Sequence, residues 1–215
     1  MAKGRFITLE GLDGSGKTCN MGLIQKLLVP HYTLICTREP GGTKLGEGIR
    51  GLLLQHQNAA MEPLTELLLL AAARHEHISK LIVPALNDGH WVLCDRFFDA
   101  TYAYQGSGRG LHPDTIRIVE ALIQKDLQPD LTILLDLPME IRLSRIKHRG
   151  NTLDRFESQS YEFFERVRQG YLERAKADPQ RVKVVGANRP LDLVQQDISS
   201  IIGKFCEYDK AKTYD

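Results

Sequence analysis

The run Gly11-Leu12-Asp13-Gly14-Ser15-Gly16-Lys17-Thr18 satisfies G-x-x-x-x-G-K-[ST] at every fixed position. Glycines at these places let the backbone turn so that successive N–H groups converge on phosphate oxygens. Lys17 would then reach the β- and γ-phosphates, and the Thr18 hydroxyl would ligate Mg²⁺. A second candidate for the metal shell is Asp95, the acid that ends the apolar run Trp91-Val92-Leu93-Cys94. Arg96 follows it directly, and a guanidinium beside a metal carboxylate is well suited to gripping a second phosphate group. Together these residues predict a nucleoside triphosphate site with a divalent ion.

Further polar residues punctuate apolar stretches. Thr37-Arg38-Glu39-Pro40-Gly41-Gly42-Thr43 reads as a shaped loop, after which Arg50 is either solvated or turned toward a ligand. Arg74 ends the apolar run 67–73, where it either snorkels to water or is the directional group of an apolar pocket. Thr101 and Gln105 share a helical face, and both give and take hydrogen bonds, as reading a base edge requires. His75 and His77 do not share a helical face, so they read as surface or interface residues rather than a metal pair. Residues 142–157 concentrate basic side chains, including Arg145, Arg149 and Arg155; the stretch is either a solvated charged helix or a lid that closes over a γ-phosphate.

Positioning these groups falls to alternating strands and helices. Strand patterns occupy 5–10, 32–37, 91–95, 131–136 and 181–185, with helical patterns at 18–29, 63–86, 113–125, 158–177 and 191–205. Such alternation predicts an α/β fold, a parallel sheet covered on both faces, with ligands beyond the carboxyl ends of its strands. The length suits one domain with a lid at about 142–157 and a polar, frayed end at 208–215. With 28 Lys and Arg against 27 Asp and Glu, the net charge of +1 gives no field for recruiting nucleic acid or an anionic membrane. No apolar run approaches membrane-spanning length, and a strand pattern beginning within a few residues leaves no space for a signal peptide. Cys19, Cys36, Cys94 and Cys206 form no C-x-x-C pair and read as reduced apolar residues in a cytoplasmic setting.

In order, the blocks G-L-D-G-S-G-K-T, T-R-E-P-G-G-T, L-G-E-G-I-R, A-A-A-R, D-R-F, T-Y-A-Y-Q-G-S-G-R-G and R-G-N-T-L-D-R-F-E resemble those of bacterial-type thymidylate kinases, over roughly residues 6–171. The resemblance implies a P-loop, nucleoside monophosphate kinase-like fold with a five-stranded parallel sheet flanked by helices and a short lid. It implies ATP- and Mg²⁺-dependent phosphorylation of dTMP to dTDP, a step toward dTTP, by a homodimer. It places Gly11, Leu12, Asp13, Gly14, Ser15, Gly16, Lys17 and Thr18 on ATP, with Thr18 and Asp95 at the metal. Arg96 and Arg50 would hold the dTMP phosphate with Arg38 as helper, and Asp13 would meet the sugar 3′-OH and orient Arg96. Arg74 would donate to thymine O4, Thr101 and Gln105 would read the N3/O2 side, and Tyr104 would crowd the sugar. Pro40 would line the 5-methyl pocket, Glu39 would lie near the acceptor, and Asp154 and Glu157 near the lid.

Two departures stand out. Leu70 replaces an aromatic residue that stacks on the base in many members, and D-R-F replaces D-R-Y. Some members carry a catalytic arginine inside the P-loop. Leu12, Asp13, Gly14 and Ser15 include none, so Arg149, before Arg145 or Arg155, is expected at the transferring phosphoryl group beside Lys17 and Arg96. A deoxynucleoside kinase, with Glu39 as base, or another pyrimidine monophosphate kinase is the alternative. A GTPase-type switch is disfavoured, since the chain lacks any Asn-Lys pair of the kind that reads guanine.

Overall fold

The computed structural model describes residues 3–55, 61–149 and 154–213, apart from the side chains of 149 and 210–213. Its centre is β1 (Phe6–Gly11), buried at every position. Burial on both faces demands apolar side chains or paired polar ones. The Thr8 hydroxyl accordingly meets that of Thr132 at 2.7 Å. With β2 (Leu34–Arg38), β3 (Trp91–Asp95), β4 (Leu131–Asp136) and β5 (Val182–Gly186), it forms a five-stranded parallel sheet in the order β2-β3-β1-β4-β5. The register pairs Asp95 with Leu9 on one side and with Arg38 on the other. The loops after β1, β2 and β3, which hold most of the candidate residues, therefore leave the sheet along one edge.

On one face, α1 (Lys17–Leu28) and α9 (Leu191–Thr213) bury Ile24, Leu28, Val194 and Ile198 against Ile7, Leu9 and Ile133. On the other, Ile78, Ile82 and Leu86 cover Phe6, Val92 and Cys94. The helix expected over 63–86 is divided into α3 (Pro63–His77), a π-helical turn Ile78–Ile82 and α4 (Val83–Asn87). Pro84 accounts for the widening, because its ring would collide with the carbonyl four residues back in a regular helix. Helix α2 (Lys44–Leu54) is capped by Thr43, whose hydroxyl accepts from the Gly46 N–H at 3.0 Å.

After β3, α5 (Phe98–Thr101) opens into a second π-helical segment, Tyr102–Gly108. Helix α6 (Pro113–Gln124) follows, then α7 (Met139–Arg149) and α8 (Tyr161–Ala177). Helix α8 begins three residues after the expected 158 because Ser160 caps it, accepting from the Phe163 N–H at 3.2 Å. Helix α9 does not stop at 205 but runs to Thr213, through much of the stretch expected to fray. An ion pair between Asp209 and Arg5 ties this end of the chain to the start of β1.

Candidate active site

Gly11, Gly14 and Gly16 all have positive φ, at 135°, 89° and 93°. Gly11 has a second reason to be glycine, since a Cβ there would lie 2.5 Å from the Leu135 carbonyl oxygen. The first turn of α1 thus presents free N–H groups and the positive end of its dipole to the loop. Lys17 folds back over it, donating to the carbonyls of Gly11 at 3.0 Å and Leu12 at 3.2 Å, with Asp13 at 3.4 Å. Burial and nearby Arg96 push its ammonium pKa down, only partly offset by Asp13. Two buried oxygens nearby, Ser15 Oγ and Asp95 Oδ1, have no hydrogen-bond partner among the described residues. Together with exposed Thr18 on the first turn of α1, these hard oxygen donors suit a small divalent ion carried by phosphates and water.

Arg96 has φ 69°, a left-handed backbone that costs a non-glycine residue of order 1 kcal/mol or more. Its N–H donates to the Leu9 carbonyl at 3.0 Å, while its own carbonyl accepts from Cys94 Sγ at 3.0 Å. The side chain is equally fixed. Nη2 donates to Asp13 at 2.9 Å, Nη1 donates to the Tyr171 hydroxyl at 3.0 Å, and the guanidinium lies 5.0 Å from the Tyr104 ring centre. Tyr171 passes its proton bond on to Glu10 at 2.8 Å, whose other oxygen accepts from the Phe97 N–H at 2.7 Å. Burial, reinforced by Asp99, raises Glu10 to about 8 against the pull of Arg96 and its hydrogen bonds. For Asp13, burial would also raise the pKa, but Arg96 and Lys17 outweigh it and hold the carboxyl well below the usual range. Glu10 and Tyr171 were not among the expected site residues; the only trace of Glu10 in the sequence is an acid inside an apolar strand.

Beside this pair opens a cleft enclosing about 620 Å³, part of it open to solvent. Asp13, Glu39, Pro40, Arg50 and Leu70 line it, as do Arg74, Arg96, Thr101, Tyr104 and Gln105. Of the residues expected at the acceptor nucleotide, all but the helper Arg38 therefore face one space. Arg50 donates to the Pro40 carbonyl at 3.0 Å, whereas Arg38 turns to the surface and pairs with Glu47 at 2.9 Å. Arg74 is buried and triply held: it pairs with Glu39, donates to Thr101 Oγ1 at 2.8 Å and donates to the Phe97 carbonyl at 3.1 Å. His77 is fully buried, not at the surface, and bridges Glu39 at 2.9 Å and Thr37 at 2.8 Å; His75 is exposed. Leu54, Ala100, Asp154 and Phe156 complete the lining. Phe156 supplies an aromatic ring to a cleft where position 70 offers only leucine.

Of the lid arginines, Arg155 is 1 % exposed, pairs with Glu66 and donates to the Leu53 carbonyl at 2.7 Å, so it is not a group facing the P-loop. Arg145 does reach that loop, donating to the Gly14 carbonyl at 3.2 Å and to that of Ala187 at 2.8 Å. Arg142 is buried, stacked 3.4 Å from the Phe164 ring centre and packed against Gly14. Arg149 ends α7, and its side chain lies outside the described residues, as does the stretch 150–153 within the expected lid.

A parallel sheet whose central strand ends in a phosphate loop, beside a cleft carrying its own guanidinium groups, defines a P-loop NTPase-type kinase. The thymidylate kinase family model matches residues 9–198. Thymidylate kinase of Pseudomonas savastanoi pv. phaseolicola is 51% identical over 205 residues, 95% of this chain and 97% of that protein. That of Methylobacillus flagellatus is 48% identical over 204 residues, 94% and 98% respectively. The crystal structure of thymidylate kinase from Ehrlichia chaffeensis superposes with a TM-score of 0.76 at 35% identity, covering 94% of this chain and 99% of that one. The chain belongs to the thymidylate kinase family.

Proposed function

We propose that the chain transfers the γ-phosphoryl group of ATP to dTMP, giving dTDP, with the donor on the P-loop and the acceptor in the cleft beside it. One observation carries the reading of the acceptor: Arg96 and Arg50 both line the cleft, which a charged acceptor needs and a neutral nucleoside does not. Glu39, the base a nucleoside kinase would require, is already bound by Arg74 and His77.

The attacking group is a phosphate oxygen, anionic near neutral pH, so the burden falls on alignment and charge neutralisation. Arg96 grips the acceptor phosphate from a position set by Asp13 and Tyr171, and Arg50 assists. Lys17 exchanges its carbonyl partners for the donor phosphates. Arg149, with Arg145 already at the loop, neutralises charge on the moving phosphoryl group. Thr18, with Asp95 close by, would hold Mg²⁺, which would supply positive charge against the donor phosphates. On the base, Arg74 donates to O4, Thr101 and Gln105 meet the N3/O2 side, and Phe156 with Leu70 encloses the ring. Pro40 lines the 5-methyl pocket, Tyr104 crowds the sugar and Asp13 accepts from the 3′-OH.

The chain is further assigned to the cytoplasm and to a homodimer. Among the described residues no helix is long and apolar enough to cross a membrane. Leu122 and Ile118 on α6, 75% and 64% exposed, supply an apolar face for a second copy. An ADP-release assay with dTMP, dUMP and thymidine tests the central assignment: dTMP is turned over and thymidine is not. Arg149→Ala is expected to lower kcat by about 10³-fold or more at saturating substrates; near-normal turnover would remove the lid from the mechanism.

A further inference from the structure

Glu66 is fully buried on α3, yet its carboxylate lies at the meeting point of three chain segments. Oε1 accepts from Gln105 Nε2 at 2.8 Å and from Arg109 Nε at 3.3 Å. Oε2 accepts from Arg155 and from Arg109 Nη2 at 3.3 Å. Arg155 is anchored in turn on the Leu53 carbonyl, and Arg109 donates to Gln159 Oε1 at 2.8 Å. Two guanidinium groups thus fix one carboxylate, and that carboxylate fixes an amide at the wall of the cleft.

The consequence lies in which way the amide faces. A carboxylate bound to two arginines only accepts hydrogen bonds, so the end of Gln105 that meets it is the NH₂ group. The amide oxygen is then the end left for the cleft, and no donor among the described residues takes it. Thymine and uracil present an N3–H donor on this edge, whereas cytosine presents a bare N3 acceptor that would face another acceptor.

We infer that Glu66 is a positioning residue that sets base selectivity: by holding the Gln105 amide in one orientation, it makes the cleft accept bases with a protonated N3 and reject cytosine. The inference rests on Gln105 reading the N3 side of the base. Glu66 itself touches no substrate; its effect passes through Gln105. Arg155 and Arg109 extend the same device to the last residues of the expected lid, since Phe156, next in the chain to Arg155, lines the same cleft as Gln105.

The test compares kcat/KM for dTMP, dUMP and dCMP in the wild type, Glu66→Gln, Glu66→Gln/Arg155→Met and Gln105→Leu. The double variant removes a cation together with the carboxylate, so a buried charge imbalance does not decide the outcome. A glutamine at 66 both donates and accepts, which frees the Gln105 amide to turn over. In both Glu66 variants the dCMP-to-dTMP ratio is expected to rise roughly tenfold or more, with the dUMP-to-dTMP ratio unchanged. Should all three substrates fall by a common factor in those variants while Gln105→Leu alone shifts the ratio, Glu66 is only structural and the inference is overturned. Should Gln105→Leu also leave the ratio unmoved, Gln105 does not read N3, and the underlying assignment fails with it.

Discussion

Glu10 and Asp13 lie three residues apart at the end of β1, yet their surroundings drive them in opposite directions. Glu10, buried and close to Asp99, titrates at about 8 against an ordinary 4.5. A carboxyl raised in this way favours the folded chain most below about pH 4.5, and that contribution is lost as pH rises through about 8. Glu10→Gln keeps a neutral side chain at every pH. Its thermal midpoint should therefore fall less steeply than that of the wild type between pH 5 and 9, and parallel curves would show that Glu10 does not titrate there. Tyr171→Phe removes the hydroxyl between Glu10 and Arg96, and its hydrogen bond to the charged guanidinium is worth about 1.5–3 kcal/mol. A rise of about tenfold in KM for dTMP, with the KM for ATP little changed, is expected from steady-state kinetics. The P-loop, and the gathering of the arginines at 50, 74 and 96 around one cleft, were legible in the sequence through local spacing and blocks of motif. Glu10, Glu66 and Tyr171 were not, since Tyr171 meets Glu10 from 161 positions away and Gln105 meets Glu66 from 39.

Among the elements, strands were read to within two residues because burial on both faces leaves continuous apolar runs. Helix interiors were harder. The two π-helical segments leave almost no mark on apolar periodicity, although one carries Gln105 to the cleft. The first has a steric cause at Pro84, while the second runs into the glycine-rich stretch 106–110, whose missing side chains permit a departure from regular helix. The second segment is held by α8, whose Gly170 permits close approach: a Cβ there would lie 2.4 Å from Ser107 Oγ and 3.0 Å from Ala103 Cα. Gly170→Ala should accordingly destabilise the fold by about 1–3 kcal/mol in urea titration and weaken dTMP more than ATP, because the displaced segment carries Gln105, proposed to read the base. An unchanged midpoint would mean the contact is slack. The far end of α9 escaped the sequence pattern because its anchor, Arg5, lies at the opposite end of the chain.

In the molecule as a whole, the order β2-β3-β1-β4-β5 sets the P-loop at the centre of the sheet edge and Arg96 directly after the adjacent strand. Under the proposed function, that adjacency would bring two anionic substrates end to end while keeping their binding groups on separate segments. In the proposed reading the donor would meet backbone amides and Lys17, and the acceptor would meet guanidinium groups that Asp13, Tyr171 and the Pro40 carbonyl hold in place. The most direct test leaves out both catalysis and the donor. Calorimetric titration of the protein with dTMP and with thymidine, at one ionic strength, isolates what the acceptor phosphate contributes. Binding of dTMP at least about a hundredfold tighter than thymidine, about 2.7 kcal/mol, with most of that margin lost in Arg96→Met, is the predicted result. Equal affinities for the two would contradict the account.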